Sequence, residues 1–511
     1  MGVVDTQSGK VEGIDLGNVQ AFLGIPFAVP PIGELRWRAP VAPEPWTGVL
    51  AADKWRGQSW QPVMEDVGAL SFAFNERSGS FDEDCLQLNV WTPGLDQRKR
   101  PVLVWIHGGG FAAGTGATPM YDGTSLAARG DAVVVTINYR LGALGFLNFN
   151  EITGGRIPST GNEGMQDQVM ALRWVRENID RFGGDPSRVT IFGESAGGMS
   201  VGTLMALPEA DGLFHRAIPQ SGACSTANPL DKAAEIATAF VDKLGLSAND
   251  DIDALMGLDP QTLVDAGNAV TATVGGMVFQ PCIDGTVLAD IPLDAVKKGA
   301  ADGIDVFVGA ARDEWKLFTS MAGADMQLDD AALAGILSVN IDEPTTIIEA
   351  YREARLARDE DASPVALFEA IETDRVFRLP AIHLAEALLE RGQASYQYLF
   401  TWESPWQDGK LGSPHAIDIG FVFGTNDMSE GSAEFFGTGP AADVLVANVQ
   451  DAWLAFAATG NPGTDALAGL IPYDSERRAT AMFGDPVTVA DDPYGSERAA
   501  WDGVSARIGS L

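Results

Sequence analysis

Residues 189–198 read Val-Thr-Ile-Phe-Gly-Glu-Ser-Ala-Gly-Gly and place Ser195 between two glycines, directly after an apolar, β-branched run. This order is typical of a sharp strand-to-helix turn that lifts a nucleophilic serine above the end of a sheet. Glycine is expected at 193 and 197 because side chains there would collide with neighbouring backbone. The same pattern also occurs in ordinary glycine turns. Its meaning therefore depends on whether the chain also supplies a base, an acid and an oxyanion-binding loop.

The segments around this turn predict an α/β fold with a mostly parallel central sheet. Residues 132–138 are almost continuously apolar, which is typical of a strand buried on both faces. Apolar residues at three- and four-residue spacing predict a helix over 164–181, and a further strand is expected around 217–218. Strands and helices thus alternate, as parallel sheets require. The Pro- and Gly-punctuated stretch 11–49 predicts an antiparallel edge at the N-terminal side.

Two largely helical stretches, about 229–273 and 329–392, are bracketed by further predicted strands. Their composition does not set them apart as separate domains. We expect residues 1–511 to form one domain, with these two stretches inserted so that they cover the carboxyl ends of the strands and the active site.

Charge and cysteine content restrict the partners and the compartment. The 511 residues contain 34 Lys and Arg against 70 Asp and Glu, a net charge of −36. Nucleic acid and anionic membranes would be repelled, so neither is expected as a partner. The three cysteines lie far apart, no signal peptide is recognisable, and no apolar run approaches the length of a membrane span. We expect a cytoplasmic protein, either a monomer or a small homo-oligomer.

A serine nucleophile needs an imidazole to accept its proton, and the chain contains four histidines. His107 lies in a glycine-rich loop before the turn, where we expect it to brace that loop. His215 at the start of a strand and His383 in a helical stripe are expected to be structural. His415 lies in a loop well downstream of Ser195, which fits the order serine, acid, histidine. His415 is therefore the predicted base.

The acid should follow a strand between Ser195 and His415. Asp313 and Glu314 come shortly after the predicted strand 306–309 and satisfy this condition. Spacing does not separate the two carboxylates, so both remain candidates.

A glycine-rich loop, His107-Gly-Gly-Gly-Phe111, follows another predicted strand and offers an oxyanion hole. Backbone N–H groups of consecutive glycines can approach a substrate oxygen without interference from Cβ atoms. The N–H groups of Gly109 and Gly110 would then join that of Ala196. Such a site needs neither a metal nor an organic cofactor, and none is expected.

Ordered motifs over nearly the whole chain resemble the type-B carboxylesterase/lipase family, the cholinesterase-like α/β-hydrolases, and within it the bacterial esterases. The motifs stand at residues 22–31, 83–91, 161–168, 182–186, 193–198, 220–222 and 456–462. The resemblance implies an α/β-hydrolase fold and the hydrolysis of small carboxylic esters of short to medium acyl chain, including esters of bulky alcohols. A lipase acting at lipid–water interfaces and a non-catalytic adhesion or scaffold member of the same fold are the alternatives.

The resemblance also assigns roles to individual residues. It implies Glu314 as the acid, Ser221 as a hydrogen-bond support for that acid, and Glu194 as a neighbour that tunes the field at the nucleophile. Two departures from the family are visible. No cysteine precedes Cys85, so the disulfide of secreted relatives is not expected, and residues 71–76 lack the tryptophan of choline-selective relatives.

Three aromatic residues are candidates for the substrate pocket. Trp315 stands where many relatives have glycine after the acid, Phe318 follows three residues later, and Phe111 ends the glycine-rich loop. We expect the three to line the pocket, although buried aromatic residues are more often plain core.

Overall fold

Strands form the centre of the protein in a computed structural model that describes residues 2–63, 80–322 and 326–509. Residues 71–76, which bear on choline selectivity, lie outside these ranges. The described strands, numbered in chain order, are β1 (Val3–Thr6), β2 (Gly9–Glu12), β3 (Ile14–Asp15), β4 (Gln20–Pro26), β5 (Val49–Ala51), β6 (Gln87–Thr92), β7 (Arg100–Ile106), β8 (Val133–Ile137), β9 (Gly184–Glu194), β10 (Arg216–Gln220), β11 (Asn228–Pro229), β12 (Cys282–Ile283), β13 (Asp305–Ala311), β14 (Ser395–Phe400), β15 (Ala479–Phe483) and β16 (Thr488–Asp491).

One sheet of eleven strands runs in the order β16-β15-β14-β13-β10-β9-β7-β8-β6-β4-β3. Neighbouring strands from β15 to β8 are parallel. The pairs β8-β6, β6-β4 and β4-β3 are antiparallel, which confirms the predicted mostly parallel sheet with an antiparallel N-terminal edge. Strand β16 adds an antiparallel strand at the opposite edge, which the sequence did not indicate. Smaller sheets are formed by β1-β2-β5 and by β11-β12.

Helices cover this sheet and connect its strands. In chain order they are α1 (Thr124–Gly130), α2 (Gly142–Gly145), α3 (Phe149–Thr153), α4 (Glu163–Asn178), α5 (Ala196–Leu204), α6 (Leu230–Lys243), α7 (Ile252–Met256), α8 (Pro260–Val274), α9 (Pro292–Lys297), α10 (Trp315–Met321), α11 (Asp330–Leu337), α12 (Pro344–Ala357), α13 (Pro364–Thr373), α14 (Leu379–Glu390), α15 (Ile419–Phe423), α16 (Glu430–Phe436), α17 (Pro440–Thr459) and α18 (Gly495–Ala499). A π-helical turn, Asp374–Arg378, joins α13 to α14.

The sheet separates two hydrophobic cores, as the side chains of β7 show. Val102, Val104 and Ile106 belong to one buried cluster, whereas Leu103 and Trp105 belong to the other. Successive side chains of a strand point to opposite faces, so both faces of this strand are buried. Helices α4 and α5 pack on the first core and α1 and α17 on the second.

The two predicted helical stretches are helical in the structure. Helices α6 to α8 lie within 230–274, and α11 to α14 lie within 330–390. Helix α13 begins at Pro364 with Ser363 as its N-cap, and the chain after α14 turns left-handed at Gly392. A serine N-cap and a left-handed glycine after the last turn are both common at helix ends. Among the described residues, no helix is both long and apolar enough to span a bilayer.

Candidate active site

Ser195 sits at the turn between β9 and α5. Its backbone has φ 59° and ψ −126°, a conformation that is strained for a residue with a side chain. The turn is held because Ser195 N–H donates to Gln220 O at 3.0 Å, at the end of neighbouring strand β10. The predicted strand-to-helix turn is confirmed.

Crowding around this turn explains its glycines. A Cβ atom at Gly193 would lie 2.5 Å from Ile106 O, and one at Gly197 would lie 2.0 Å from the same atom. Both distances are far below van der Waals contact, so side chains there would push the turn away from the end of β7. The steric reason inferred from the sequence is thus present in the fold.

Glu314 and His415 form a buried hydrogen-bonded pair. Glu314 lies in the turn between β13 and α10, where its Oε1 accepts from Ala311 N–H at 2.6 Å. Its Oε2 lies 2.5 Å from His415 Nδ1, and both side chains are buried. A carboxylate at Nδ1 holds the proton there and leaves Nε2 as the acceptor nitrogen that a general base requires.

The other carboxylate that spacing left open, Asp313, has different partners. Its Oδ2 accepts from Ser413 N–H at 2.9 Å and from Arg312 Nε at 2.8 Å. Lys316 Nζ lies 3.2 Å from its Oδ1. Adjacent in sequence, Asp313 and Glu314 thus hold two different parts of the same histidine-bearing loop.

The imidazole lies beside the serine turn, next to Glu194. His415 Nε2 is 3.1 Å from Glu194 Oε1, one residue from Ser195. In the part of the chain that the structure describes, His415 makes no hydrogen bond to the Ser195 hydroxyl. The structure therefore brings Glu194, Glu314 and His415 into direct contact and places Ser195 next to them.

The charges around His415 shift its proton affinity. Burial alone would lower the pKa of His415, but Glu194 and Glu314 outweigh burial and raise that pKa to about 9. Burial raises the pKa of Glu194 to about 8, and the nearby carboxylates of Asp418 and Glu314 act in the same direction. One imidazole thus shares a buried pocket with three carboxyl groups.

Asp418 is a member of this cluster that sequence reasoning missed. Its Oδ2 accepts from Gln220 Nε2 at 2.8 Å and from the Tyr398 hydroxyl at 3.3 Å. Burial raises the pKa of Asp418 to about 6. Its position three residues after His415, just before α15, is the one signal by which it could have been found.

Two phenylalanines contact the imidazole. The ring centroid of Phe318 is 5.0 Å from that of His415, and the centroid of Phe377 is 4.8 Å away. Phe377 lies in the π-helical turn and carries no sequence signal of its own. Trp315 packs against Phe318 at 5.0 Å, whereas Phe111 is fully buried against Phe146. Of the three predicted pocket residues, Phe318 is the one in contact with the imidazole.

The glycine-rich loop packs against the serine turn. A Cβ atom at Gly108 would lie 3.0 Å from Ser195 Cβ, so only a residue without a side chain allows this approach. Gly109 and Gly110 adopt φ of 109° and 62°. Within the described structure, the N–H groups of Gly109, Gly110 and Ala196 donate no hydrogen bond, which leaves them available to an oxyanion.

The two remaining predicted support residues are His107, in this loop, and Ser221, which is bonded to the strand that precedes Glu314. His107 stacks on Tyr139 with centroids 4.4 Å apart, and its Nδ1 is 2.8 Å from Gly108 O. Ser221 N–H donates to Gly309 O at 2.9 Å, in the strand that leads to Glu314. Among the described residues, the Ser221 hydroxyl makes no hydrogen bond to Glu314, so its support of the acid stays a prediction.

An apolar cavity of about 250 Å³ opens beside the glycine-rich loop. Its wall includes Gly109 from that loop, Ala113 just after it, Leu144 from α2, and Leu263 and Gly267 from α8. Few polar groups face it, so it suits an apolar group of a ligand.

Comparison with known proteins identifies the family of the chain. The profile described as "Carboxylesterase family" matches residues 1–501. The chain is 37% identical to the para-nitrobenzyl esterase of Bacillus subtilis (strain 168) over 505 residues, 97% of each chain. It is 33% identical to the phenmedipham hydrolase of Pseudarthrobacter oxydans, covering 94% of this chain and 95% of that one. A crystal structure of a Geobacillus stearothermophilus carboxylesterase superposes with a TM-score of 0.87 at 38% identity, covering 98% of this chain and 99% of that one.

These similarities extend over the whole α/β-hydrolase sheet and confirm the resemblance predicted from the motifs. Two of these relatives are named as esterases and the third as a hydrolase, and a small-molecule ester is the substrate that esterase activity implies. The chain belongs to the carboxylesterase family and is a serine carboxylic ester hydrolase.

Proposed function

We propose that Ser195, His415 and Glu314 form the catalytic triad of this esterase. The observation that carries the proposal is the buried 2.5 Å contact between Glu314 Oε2 and His415 Nδ1, with Nε2 of the same ring directed to the serine turn. In this arrangement Glu314 holds the imidazole in one tautomer and stabilises it once it is protonated.

The reaction proceeds through an acyl-enzyme. Ser195 Oγ attacks the ester carbonyl carbon while His415 Nε2 takes the hydroxyl proton. The resulting oxyanion is bound by the N–H groups of Gly109, Gly110 and Ala196. When the tetrahedral intermediate collapses, the C–O bond to the alcohol breaks and His415 returns its proton to the leaving oxygen. A water molecule then attacks the acyl group in the same way and frees Ser195.

The substrates we propose are esters of short to medium acyl chains, including those of bulky alcohols. Support comes from the apolar cavity of about 250 Å³ beside Gly109 and from the phenylalanines that contact His415. We further propose that residues 1–511 form one domain and that the stretches 229–273 and 329–392 shape the entrance to the site. For the first stretch this idea rests on Leu263 and Gly267, which line the cavity. For the second it rests on Phe377, whose ring contacts His415.

We also propose a reducing, cytoplasmic location and a monomer or small homo-oligomer. The three cysteines are buried and unpaired, as is usual for proteins of reducing compartments.

Hydrolysis of p-nitrophenyl acetate, butyrate and octanoate by the wild type and by Ser195→Ala tests the triad. Removal of a triad serine lowers kcat by about 10⁶-fold in a well-studied serine hydrolase, and a comparable loss is expected here. His415→Ala should be similarly inactive, whereas His383→Ala, which alters a helical histidine outside the site, should retain activity. Substantial activity in Ser195→Ala, or its loss in His383→Ala, would refute the assignment.

A second experiment tests the alternative function. A preference for emulsified over dissolved tributyrin would indicate a lipase.

A further inference from the structure

Asp313 connects the turn that carries Glu314 to the loop that carries His415. Its backbone N–H donates to Ser413 O at 2.8 Å, and Ser413 N–H donates back to Asp313 Oδ2 at 2.9 Å. Two opposed hydrogen bonds between the same two residues fix both the distance and the register of the segments. Ser413 precedes His415 by two residues, and Asp313 precedes Glu314 by one.

The carboxylate of Asp313 fits a space that a glycine leaves open. Gly412 has φ 59°, and a Cβ atom there would lie 2.4 Å from Asp313 Oδ2. The loop is also attached elsewhere, because Ser404 N–H donates to Gly412 O at 2.7 Å and the Ser413 hydroxyl donates to Phe400 O at 2.9 Å. Asp313 adds an attachment between the loop and the turn that carries Glu314.

Two cations hold the Asp313 carboxylate in place. Arg312 Nε lies 2.8 Å from Oδ2, and Lys316 Nζ lies 3.2 Å from Oδ1. Burial opposes ionisation, but these two charges and the Ser413 N–H lower the pKa of Asp313 below its usual value. The group is therefore ionised, and accepts from Ser413, at any pH at which the enzyme would be assayed.

The Glu314–His415 pair, which lies next to the bonds between Asp313 and Ser413, tolerates little movement. Glu314 and His415 come from turns after different strands, β13 and β14, yet their side chains meet at 2.5 Å. Catalytic groups need positions fixed to within about 0.5 Å, and a shift of about 1 Å can cost 10²-fold in rate. We infer that Asp313 is a positioning residue that sets the distance between Glu314 and His415, an inference that rests on the proposed function of that pair.

The test compares Asp313→Ala with Asp313→Asn. Alanine removes the acceptor for Ser413 N–H, whereas the carbonyl oxygen of asparagine can still accept from it. We expect Asp313→Ala to lower kcat by about 10- to 100-fold with little change in KM, and Asp313→Asn to recover most of that loss. Glu403→Gln is the matched control, because Glu403 Oε1 pairs with the same Arg312 at 2.8 Å through an exposed side chain.

A second measurement separates positioning from a general loss of stability. The groups that face His415 are Glu194, Glu314 and Asp418. If Glu314 moves away, the pKa of His415 falls, and the acid limb of the kcat/KM profile moves to lower pH. That shift should appear in Asp313→Ala and be reversed in Asp313→Asn. Should Asp313→Ala fail to fold, Asp313→Ser, whose hydroxyl is too short to replace the carboxylate, is measured in its place with the same expectation.

The inference is overturned if the truncated variant keeps wild-type kcat and pH profile, or if Asp313→Asn is as impaired as the truncation. The outcome is distinguishable from failure of the triad itself. Active Ser195→Ala or His415→Ala variants would refute the proposed function. Inactive ones, together with an unimpaired Asp313→Ala, would refute only the role of Asp313.

Discussion

Glu194 Oε1 lies 3.1 Å from His415 Nε2, while Glu314 Oε2 lies 2.5 Å from Nδ1 of the same ring. The two ring nitrogens thus each face a buried carboxylate. In the proposed triad Glu314 orients the ring, and Glu194 lies at Nε2, the nitrogen through which His415 would accept the proton of Ser195. The charge of Glu194 therefore bears directly on the pH at which the base becomes available.

Replacing Glu194 by glutamine should make the enzyme active at lower pH. Glu194 is one of the groups that raise the pKa of His415, and the base works only when the imidazole is neutral. Loss of this charge lowers the pKa of His415, so the acid limb of kcat/KM should move down by about one pH unit. The pH profile of p-nitrophenyl butyrate hydrolysis measures this shift. Glu403→Gln removes an exposed carboxylate instead and should leave the limb unchanged. A limb that stays in place or moves upward in Glu194→Gln would contradict the argument.

Replacing Glu314 by glutamine should abolish most of the activity and preserve the fold. The amide oxygen can still accept from Ala311 N–H, but the charge that stabilises protonated His415 is lost. The corresponding change in a serine protease triad lowers kcat about 10⁴-fold, and we expect a similar loss here. Steady-state kinetics measure it, and the thermal midpoint should stay near that of the wild type. Near-normal kcat would mean that another group orients the imidazole.

Two glycine-to-alanine changes should act in opposite directions on stability. At Gly197 the new Cβ would lie 2.0 Å from Ile106 O, so backbone must move, and we expect a loss of about 3 kcal/mol in the free energy of unfolding. Gly335 lies in α11 with no atom within 4 Å of the added methyl. Alanine there should stabilise the protein by about 1 kcal/mol. Urea unfolding compares the two variants, and equal effects of both would contradict the steric explanation of the turn.

The thiols should be unreactive in the native protein. Cys85, Cys224 and Cys282 are buried and free. Burial raises the pKa of Cys224 to about 12 and that of Cys282 to about 11, and raises that of Cys85 as well. The thiolate is the reactive form, so titration with a disulfide reagent should be slow in the native state and yield three thiols after denaturation. A reductant should not change the unfolding midpoint. Fewer than three thiols would indicate a disulfide.

Short-range patterns in the sequence were sufficient for the serine turn, the parallel sheet and the helical stretches. Glycine spacing, apolar periodicity and capping residues act over a few positions, so they can be recognised without knowing the rest of the fold. The antiparallel β16 and the contacts of Phe377 and Asp418 were not predictable in this way. Each depends on which distant segment packs beside it.

The choice between Asp313 and Glu314 shows the same difference between what the sequence indicates and what tertiary packing decides. By itself, the sequence limited the candidate acid to two adjacent carboxylates that follow a strand between Ser195 and His415. Only the family resemblance favoured Glu314. The tertiary structure decided which of them meets the imidazole, because successive side chains in a turn point in different directions. Glu314 extends to His415 and Asp313 to Ser413. These directions are set by the packing of two loops that are brought together only when β13 and β14 pair in the sheet.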